Sequence, residues 1–335
     1  MYNKTQILEL FNSSDPQVLE RLAREAQSLT RQYFGKTIGL YAPLYLSNHC
    51  ANACVYCGFH AGRDIPRRKL SETEIETECR ALAQSGVQTI LLLTGESRKD
   101  TPPEYLEQAV RIAKKYFAGI SIEVYPLETA EYVRLNTAGC DGVTIFQETY
   151  DRERYAVLHP AGKKSDYAYR YDTPRRAALG GIRQITIGPL LGLADWRADI
   201  FALYDHLRTL EKEFPGVEYA LSFPRLQKLN DYADDGYLVS DEDMVKIICL
   251  TRILFPRAGL NLSTREQPKF RDRAVHFGIT KISAGSLTSV GGYADKPAGA
   301  GQFETNDNRS VAEIKTMLER QGYDPVFTEW RCLAG

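Results

Sequence analysis

Three thiols fall within eight residues, Cys50-Ala-Asn-Ala-Cys54-Val-Tyr-Cys57, in a CxxxCxxC pattern that follows the apolar run Ile38 to Leu46. Thiolates are soft ligands that select zinc or iron–sulfur clusters. A structural zinc or an electron-transfer cluster takes four protein ligands. Three thiolates on a four-iron cluster leave one iron open, which is what a catalytic site needs. Zinc would require a fourth ligand nearby. His49 and His60 are the candidates, and His49, adjacent to Cys50, would crowd a tetrahedral site. Incidental clustering is a poor explanation, because the whole chain has only seven cysteines. Of the other four, Cys79 and Cys249 lie in helical patterns and read as small core residues. Cys140 and Cys332 carry no pattern, and none of the four is given a role.

A loop of this kind needs a frame, and strand and helix signals alternate along the chain. Residues 1–35 read as a helical lead-in, with Asp15-Pro16 as N-cap and first-turn proline and Gly35 as the stop. Strands are expected at 38–46, 88–93, 120–124, 142–146, 184–187, 218–222, 260–263 and 281–284. Helices are expected from Ser71-Glu-Thr-Glu74, a capping box, and at 103–117, 129–137, 173–179, 196–214, 240–255, 267–277 and 310–321. Eight strands alternating with helices predict an α/β fold, a closed (β/α)8 TIM-type barrel behind an N-terminal helical lead-in. No linker separates halves. One domain is expected over 1–335: lead-in 1–35, barrel 36–289, and a C-terminal loop and helix 290–335.

Composition narrows the function. Apolar content is 43% and the net charge is −1, so a large core is available and nothing points to a nucleic-acid or membrane-surface partner. No apolar run is long enough to span a membrane, and the N-terminus has no signal core. Odd cysteines without disulfide spacing, and a thiolate cluster, favour the reducing cytoplasm.

A barrel carries its chemistry at the carboxyl ends of its strands. There the sequence places the cysteine loop, Thr94-Gly95-Glu96, Glu123, Gln147-Glu148-Thr149-Tyr150, Gly188 to Gly192, Phe223-Pro224-Arg225, Ser263-Thr264-Arg265-Glu266 and Ser283 to Ser286. Glu123 alternates with Ile122 and Val124 and should point inward, where a carboxylate needs partners. Arg265 leaves the seventh strand at the rim, and a bidentate arginine suits a substrate carboxylate. An ion pair with Glu266 is the plain alternative for it. The run Arg63, Arg67, Arg68, Lys69 is a solvated face or a dock for an acidic one-electron donor.

The cysteine loop and its flanks resemble the radical S-adenosylmethionine (SAM) enzymes. The similarity extends through Leu44-Tyr45-Leu46-Ser47-Asn48, Leu92-Leu-Thr-Gly-Glu96, Phe146-Gln-Glu-Thr-Tyr150, Ser222-Phe-Pro-Arg-Leu226, Leu262-Ser-Thr-Arg-Glu266, Phe270-Arg-Asp-Arg273 and Gly291-Gly-Tyr293-Ala-Asp295. In that order these are similar to the radical SAM aromatic amino acid lyases, on the tyrosine branch. The resemblance implies a 4Fe-4S cluster on Cys50, Cys54 and Cys57, with SAM on the open iron. It implies SAM contacts at Thr94, Gly95 and Glu96 for the amine, and at Tyr56 and the segment containing Gly188 and Leu191 for the adenine. Glu123, Glu148 and Arg170 would serve the ribose and the methionine carboxylate. Arg265, Tyr45 and Ser283 would anchor the amino acid, with Arg225 or Tyr293 reading its phenol. The implied reaction is cleavage of the Cα–Cβ bond of L-tyrosine to 2-iminoacetate and p-cresol, for thiamine thiazole synthesis. The implied partners are a flavodoxin- or ferredoxin-type electron donor and a thiazole synthase. A branch with a second cluster on three further cysteines is not expected, since only Cys332 lies beyond Cys249. Two other readings stand beside this one: a radical SAM lyase or mutase acting on another amino acid such as tryptophan, and a non-catalytic iron–sulfur scaffold.

Overall fold

The computed structural model describes residues 2–226, 236–295, 299 and 301–328, so Cys332 lies outside the described residues. Helices α1 (Lys4–Asn12) and α2 (Pro16–Phe34) form the lead-in. Asp15 caps α2 through Gln17 N, Pro16 opens it, and Gly35 closes it at φ 65°, the left-handed region that favours glycine. The repeating unit then runs β1 (Thr37–Ser47), α3 (Glu72–Ala83), β2 (Thr89–Thr94), α4 (Pro103–Ala113), β3 (Gly119–Glu123), α5 (Thr129–Ala138) and β4 (Gly142–Glu148). It continues through α6 (Arg152–Leu158), α7 (Tyr167–Tyr171), α8 (Thr173–Leu179), β5 (Gln184–Pro189), α9 (Trp196–Glu213), β6 (Glu218–Ser222) and α10 (Asp241–Leu254). It ends with β7 (Gly259–Leu262), α11 (Pro268–Ala274), β8 (Lys281–Ser283), α12 (Val311–Arg320) and β9 (Asp324–Val326). Strands β1 to β8 pair in parallel in sequence order, and β8 returns to β1, closing the barrel.

Three elements depart from the sequence reading. Strand β9 was not expected. It pairs with Thr37 to Gly39 of β1, whereas β2 pairs with β1 only from Ala42 onward, so β9 fills the gap below β2. The long β4–β5 connection also holds α6 and α7, helices of seven and five residues whose patterns are too short to show periodicity. No helix among the described residues is long and apolar enough to cross a membrane.

Strand alternation divides the side chains. Ile90, Ile120, Ile122, Val143, Ile145, Ile185, Ile187, Leu260 and Ile282 belong to one core shared with the helices. The opposite row is polar: Thr89, Ser121, Thr144, Gln184, Thr186, Asn261 and Lys281 line a cavity inside the barrel. Barrel interiors are usually filled by branched aliphatic layers, and this one keeps room for a ligand. Lead-in helix α2 packs on α10, outside the wall.

The segment after β8 is locked by charge. Arg271 on α11 and Asp307 are both fully buried and paired, and Arg271 also donates to the Ser283 carbonyl at the end of β8. Removing one partner of such a pair leaves a buried charge uncompensated. Asp307→Ala should therefore lower unfolding free energy by about 3–5 kcal/mol in chemical denaturation, and a loss below about 1 kcal/mol would show that the pair is dispensable.

Candidate active site

The cysteine loop is held down from several sides. Ala51 N donates to the Glu96 carbonyl (3.1 Å), Ala53 N to the Ala161 carbonyl (3.0 Å) and Val55 N to the Leu158 carbonyl (3.2 Å). These bonds tie it to the ends of β2 and α6. Gly95 lies so close beneath that a Cβ there would overlap the His49 carbonyl oxygen. Cys57 packs between two apolar groups, one with Cys54, Tyr56, Leu158 and Leu190, the other with Cys50, Tyr45, Phe59 and Leu93.

Arg67 is the loop's main clasp. Its Nη1 donates to the carbonyls of Asn48 (2.7 Å) and Phe59 (2.9 Å), and its Nη2 to those of His60 (2.7 Å) and Arg63 (3.2 Å). Arg68 binds Glu74, and Lys69 binds the Asp100 carbonyl. Arg67 is thus committed to the loop, while Arg68 and Lys69 also hold local partners.

The thiols fit a cluster better than a single ion. Tetrahedral zinc needs sulfurs about 3.8 Å apart, and among the described residues no three His, Cys, Asp or Glu side chains converge in that way. On a four-iron cluster each thiolate goes to a different iron, so such convergence is not required. Neither histidine turns toward the thiols as a fourth ligand: His60 Nδ1 accepts from Gly62 N, and His49 faces Asp100. Burial pushes the Cys54 thiol up to about 12, so a cationic centre is needed to hold it as thiolate.

Beside the loop sits a buried charge network. Glu96 accepts from Asn52 Nδ2 (2.9 Å) and Arg170 Nη1 (3.0 Å), and Glu148 accepts from Lys164 Nζ (2.6 Å). Lys164 also lies 3.5 Å from Glu96, and Arg170 lies 3.5 Å from Glu148. Burial pushes the Glu96 carboxyl up, but Arg170 and Lys164 outweigh it and bring it to about 2. Glu148 is likewise lowered by Lys164 and Arg170 against burial. Its backbone stands at φ 71°, a left-handed conformation unusual for a side-chain-bearing residue. It sits where β4 bulges against β5. Thr94 Oγ1, at the end of β2, is buried with no hydrogen-bond partner among the described residues. Tyr56 is fixed from behind. Its hydroxyl donates to His159 Nε2 (2.7 Å), because His159 Nδ1–H donates to the Tyr155 carbonyl (2.8 Å). Burial, then Lys164, push His159 down to about 4 and keep it neutral.

Across the cavity, the Arg265 guanidinium lies 3.4 Å over the Phe303 ring. Glu266 is engaged elsewhere, by Arg225, which also binds Asp241. Tyr45, Ser283, Glu123, Glu148 and Tyr56 face the same cavity as Arg265 and Cys57. Ser283 Oγ accepts from Thr264 N (3.2 Å).

Several sequence expectations move. Arg225 is consumed by Glu266 and Asp241, and Tyr293 by the Pro43 carbonyl and Leu287 N, so neither reads a phenol in the cavity. Leu190, not Leu191, faces the cavity, since Leu191 is bound into the barrel wall at Pro224 and Leu226. Gly188 is required by strand approach: a Cβ would overlap the Ser222 carbonyl oxygen of β6. Arg170 directs its donors to Glu96 and the Phe146 carbonyl, so of the two cations in the network Lys164 is the one that lines the cavity. Asn52, His159, Lys164, Leu190, Gln302 and Phe303 were not anticipated. Only Lys164 had a signal, as a cation six residues before Arg170.

A barrel with three thiols over a polar cavity, a buried ion-pair network beside them and an arginine opposite defines a radical SAM enzyme. Residues 44–205 match the Radical SAM superfamily, and residues 222–324 match the Biotin and Thiamin Synthesis associated domain. The chain is 38% identical to the 2-iminoacetate synthase of Salmonella typhimurium strain LT2 over 329 residues, 98% of this chain and 87% of that one. The Escherichia coli K12 enzyme of the same name is also 38% identical, over 99% and 88%. The crystal structure of HydG, a maturase of the FeFe-hydrogenase, superposes with a TM-score of 0.92 at 33% identity, over 98% of this chain and 73% of that one. The chain belongs to the radical SAM superfamily, in the family that contains the 2-iminoacetate synthases. Its cofactors are a 4Fe-4S cluster and SAM.

Two outcomes follow from the geometry. Arg67→Ala removes donors from four carbonyls and should cost the loop about 2 kcal/mol or more. Iron bound after anaerobic reconstitution should fall while far-UV circular dichroism stays unchanged. Burial, then Glu148, push the Glu123 carboxyl up to about 7 against Arg265, Lys164 and Arg170. The native chain then keeps a proton that the unfolded chain loses near 4.5, so its stability falls as pH rises between these values. In metal-free protein, denaturant unfolding at about pH 5 and pH 8 should show a loss that Glu123→Gln reduces.

Proposed function

We propose that this chain is a radical SAM tyrosine lyase, a 2-iminoacetate synthase that breaks the Cα–Cβ bond of L-tyrosine and releases 2-iminoacetate and p-cresol for thiamine thiazole synthesis. The observation that carries this reading is the convergence of Cys57, Tyr45, Arg265 and Ser283 on one cavity. Cys50, Cys54 and Cys57 would hold the cluster. With SAM bound and one electron supplied, it provides a 5′-deoxyadenosyl radical. The amine-binding side of SAM is assigned to Thr94, Gly95 and Glu96, its ionic partners to Glu148 and Lys164, and the adenine wall to Tyr56 and Leu190.

The chain's own residues do the rest. Arg265 binds the substrate carboxylate with two parallel N–H donors, and Phe303 keeps its guanidinium flat. Tyr45 and Ser283 flank the amino-acid head group. The ring extends toward the inner polar row of Thr144, Thr186 and Asn261, which suits a phenol better than an aliphatic layer would. Glu123, with a carboxyl that exchanges its proton near neutral pH, accepts a proton from the substrate ammonium. Phe59, Leu91 and Leu93 shield this side from water. Positioning matters because hydrogen must leave nitrogen rather than the nearby Cα. A flavodoxin- or ferredoxin-type donor and delivery to a thiazole synthase complete the reading. We treat the chain as one domain, with β9 adding to the barrel wall.

Anaerobic reconstitution followed by product analysis with L-tyrosine tests the assignment. Wild type should release p-cresol. Arg265→Ala should keep its iron and lose p-cresol formation by about 100-fold or more. Unchanged p-cresol release from the variant would refute the substrate placement, and turnover of tryptophan instead of tyrosine would refute the substrate.

A further inference from the structure

Gln302 lies between β8 and α12, in a segment with no motif. Its side chain bridges two parts of the site. Oε1 accepts from the Tyr45 hydroxyl (2.7 Å), and Nε2 points at Cys57 Sγ (3.9 Å). An amide nitrogen only donates and a cluster-bound thiolate only accepts, so with Cys57 as a ligand Nε2 belongs at the sulfur and Oε1 at the Tyr45 hydroxyl. The backbone is held as well. Gly58 N donates to the Gln302 carbonyl (3.2 Å), and Gln302 N donates to the Thr288 carbonyl (3.0 Å). A Cβ on Gly58 would overlap the Gln302 carbonyl oxygen, and one on Gly301 would overlap Thr288 Oγ1. Gly58 therefore lets this segment lie directly on the cysteine loop, and Gly301 lets it pack against Thr288. The next residue, Phe303, carries the Arg265 guanidinium.

We propose that Gln302 is a positioning residue that couples the amino-acid site to the cluster through the bridge Tyr45 hydroxyl, Gln302 amide, Cys57 sulfur. Hydrogen bonds to a ligating sulfur tune the electronic properties of a cluster. A head group that engages the Tyr45 hydroxyl changes what that hydroxyl offers Oε1, and the rigid amide passes the change to Cys57. The substrate arm of this inference rests on the tyrosine lyase reading, whereas the cluster arm does not.

The test uses anaerobically reconstituted holoenzyme. Electron paramagnetic resonance of the reduced cluster is recorded with and without L-tyrosine, alongside kcat and KM. Gln302→Leu loses both contacts. Its substrate-free spectrum should shift, its response to tyrosine should shrink, and KM should rise about three- to tenfold, the worth of one hydrogen bond. Gln302→Glu keeps an acceptor for Tyr45 but not the donor to sulfur, so its spectrum should shift while KM stays nearer wild type. A Gln302→Leu enzyme with wild-type spectra and KM overturns the proposal. If that variant holds no iron, Tyr45→Phe decides: it leaves the amide unanchored and must shift the substrate-free spectrum, and an unshifted spectrum overturns the bridge. Absence of p-cresol from wild type defeats the lyase reading alone, since the substrate-free spectra still decide the role of Gln302.

Discussion

Two carboxylates and two cations are buried together beside the cysteine loop, and ions taken out of water must find partners there. Glu96 comes from the end of β2 and Glu148 from the end of β4, while Lys164 and Arg170 come from the long connection after β4. Each ion compensates the others, so three separate pieces of chain must occupy one arrangement. Asn52 adds the cysteine loop to this lock, since its side chain donates to Glu96 and accepts from Lys164 N. The loop's position is therefore set by electrostatics as much as by its own hydrogen bonds. The left-handed backbone at Glu148 is a local cost that this pairing holds in place.

The same economy shapes the loop itself. A stretch that must leave three thiols available for a cluster cannot fold into regular structure, and its carbonyls need donors. Arg67 supplies them to four carbonyls at both ends of the loop. Gly95 and Gly58 let the β2 end and the post-β8 segment approach closely from two sides. Tyr56 is braced by a neutral histidine rather than left to rotate. These features give a rigid cradle, which radical chemistry needs because a small displacement changes which hydrogen is nearest.

The opposite wall is built differently. Arg265 is partly buried and rests on Phe303, and desolvation lowers its pKa. Glu266, the neighbour expected to neutralise it, pairs with Arg225, which leaves Arg265 on the cavity wall. Glu123 faces it with a carboxyl near the neutral range. One side of the cavity is thus tightly paired, and the other carries Arg265 and Glu123 on its wall.

Local patterns made much of this legible. The Ser71-Glu74 capping box, Asp15-Pro16 and the period-two strands each act over a few residues, and the eight-stranded barrel, the cysteine loop, Glu96, Glu123, Glu148, Arg265, Tyr45 and Ser283 all appear where the alternation puts strand ends, whereas Arg170 sits on α7 in the connection after β4. What escaped was non-local or too short to repeat. Strand β9 has three residues and exists because β1 and β2 part below Ala42. Arg225 and Arg265 are alike in sequence, and only the fold shows that Arg225 pairs with Glu266 while Arg265 lines the cavity. Gln302 stands 257 positions from Tyr45 and meets it through closure of the barrel. The sequence alone determined the ligand chemistry and the order of elements, because thiol spacing and strand periodicity are properties of neighbouring residues. The tertiary structure alone decided which charges pair with which and which side chains line the cavity, because both depend on distances between residues far apart in the chain.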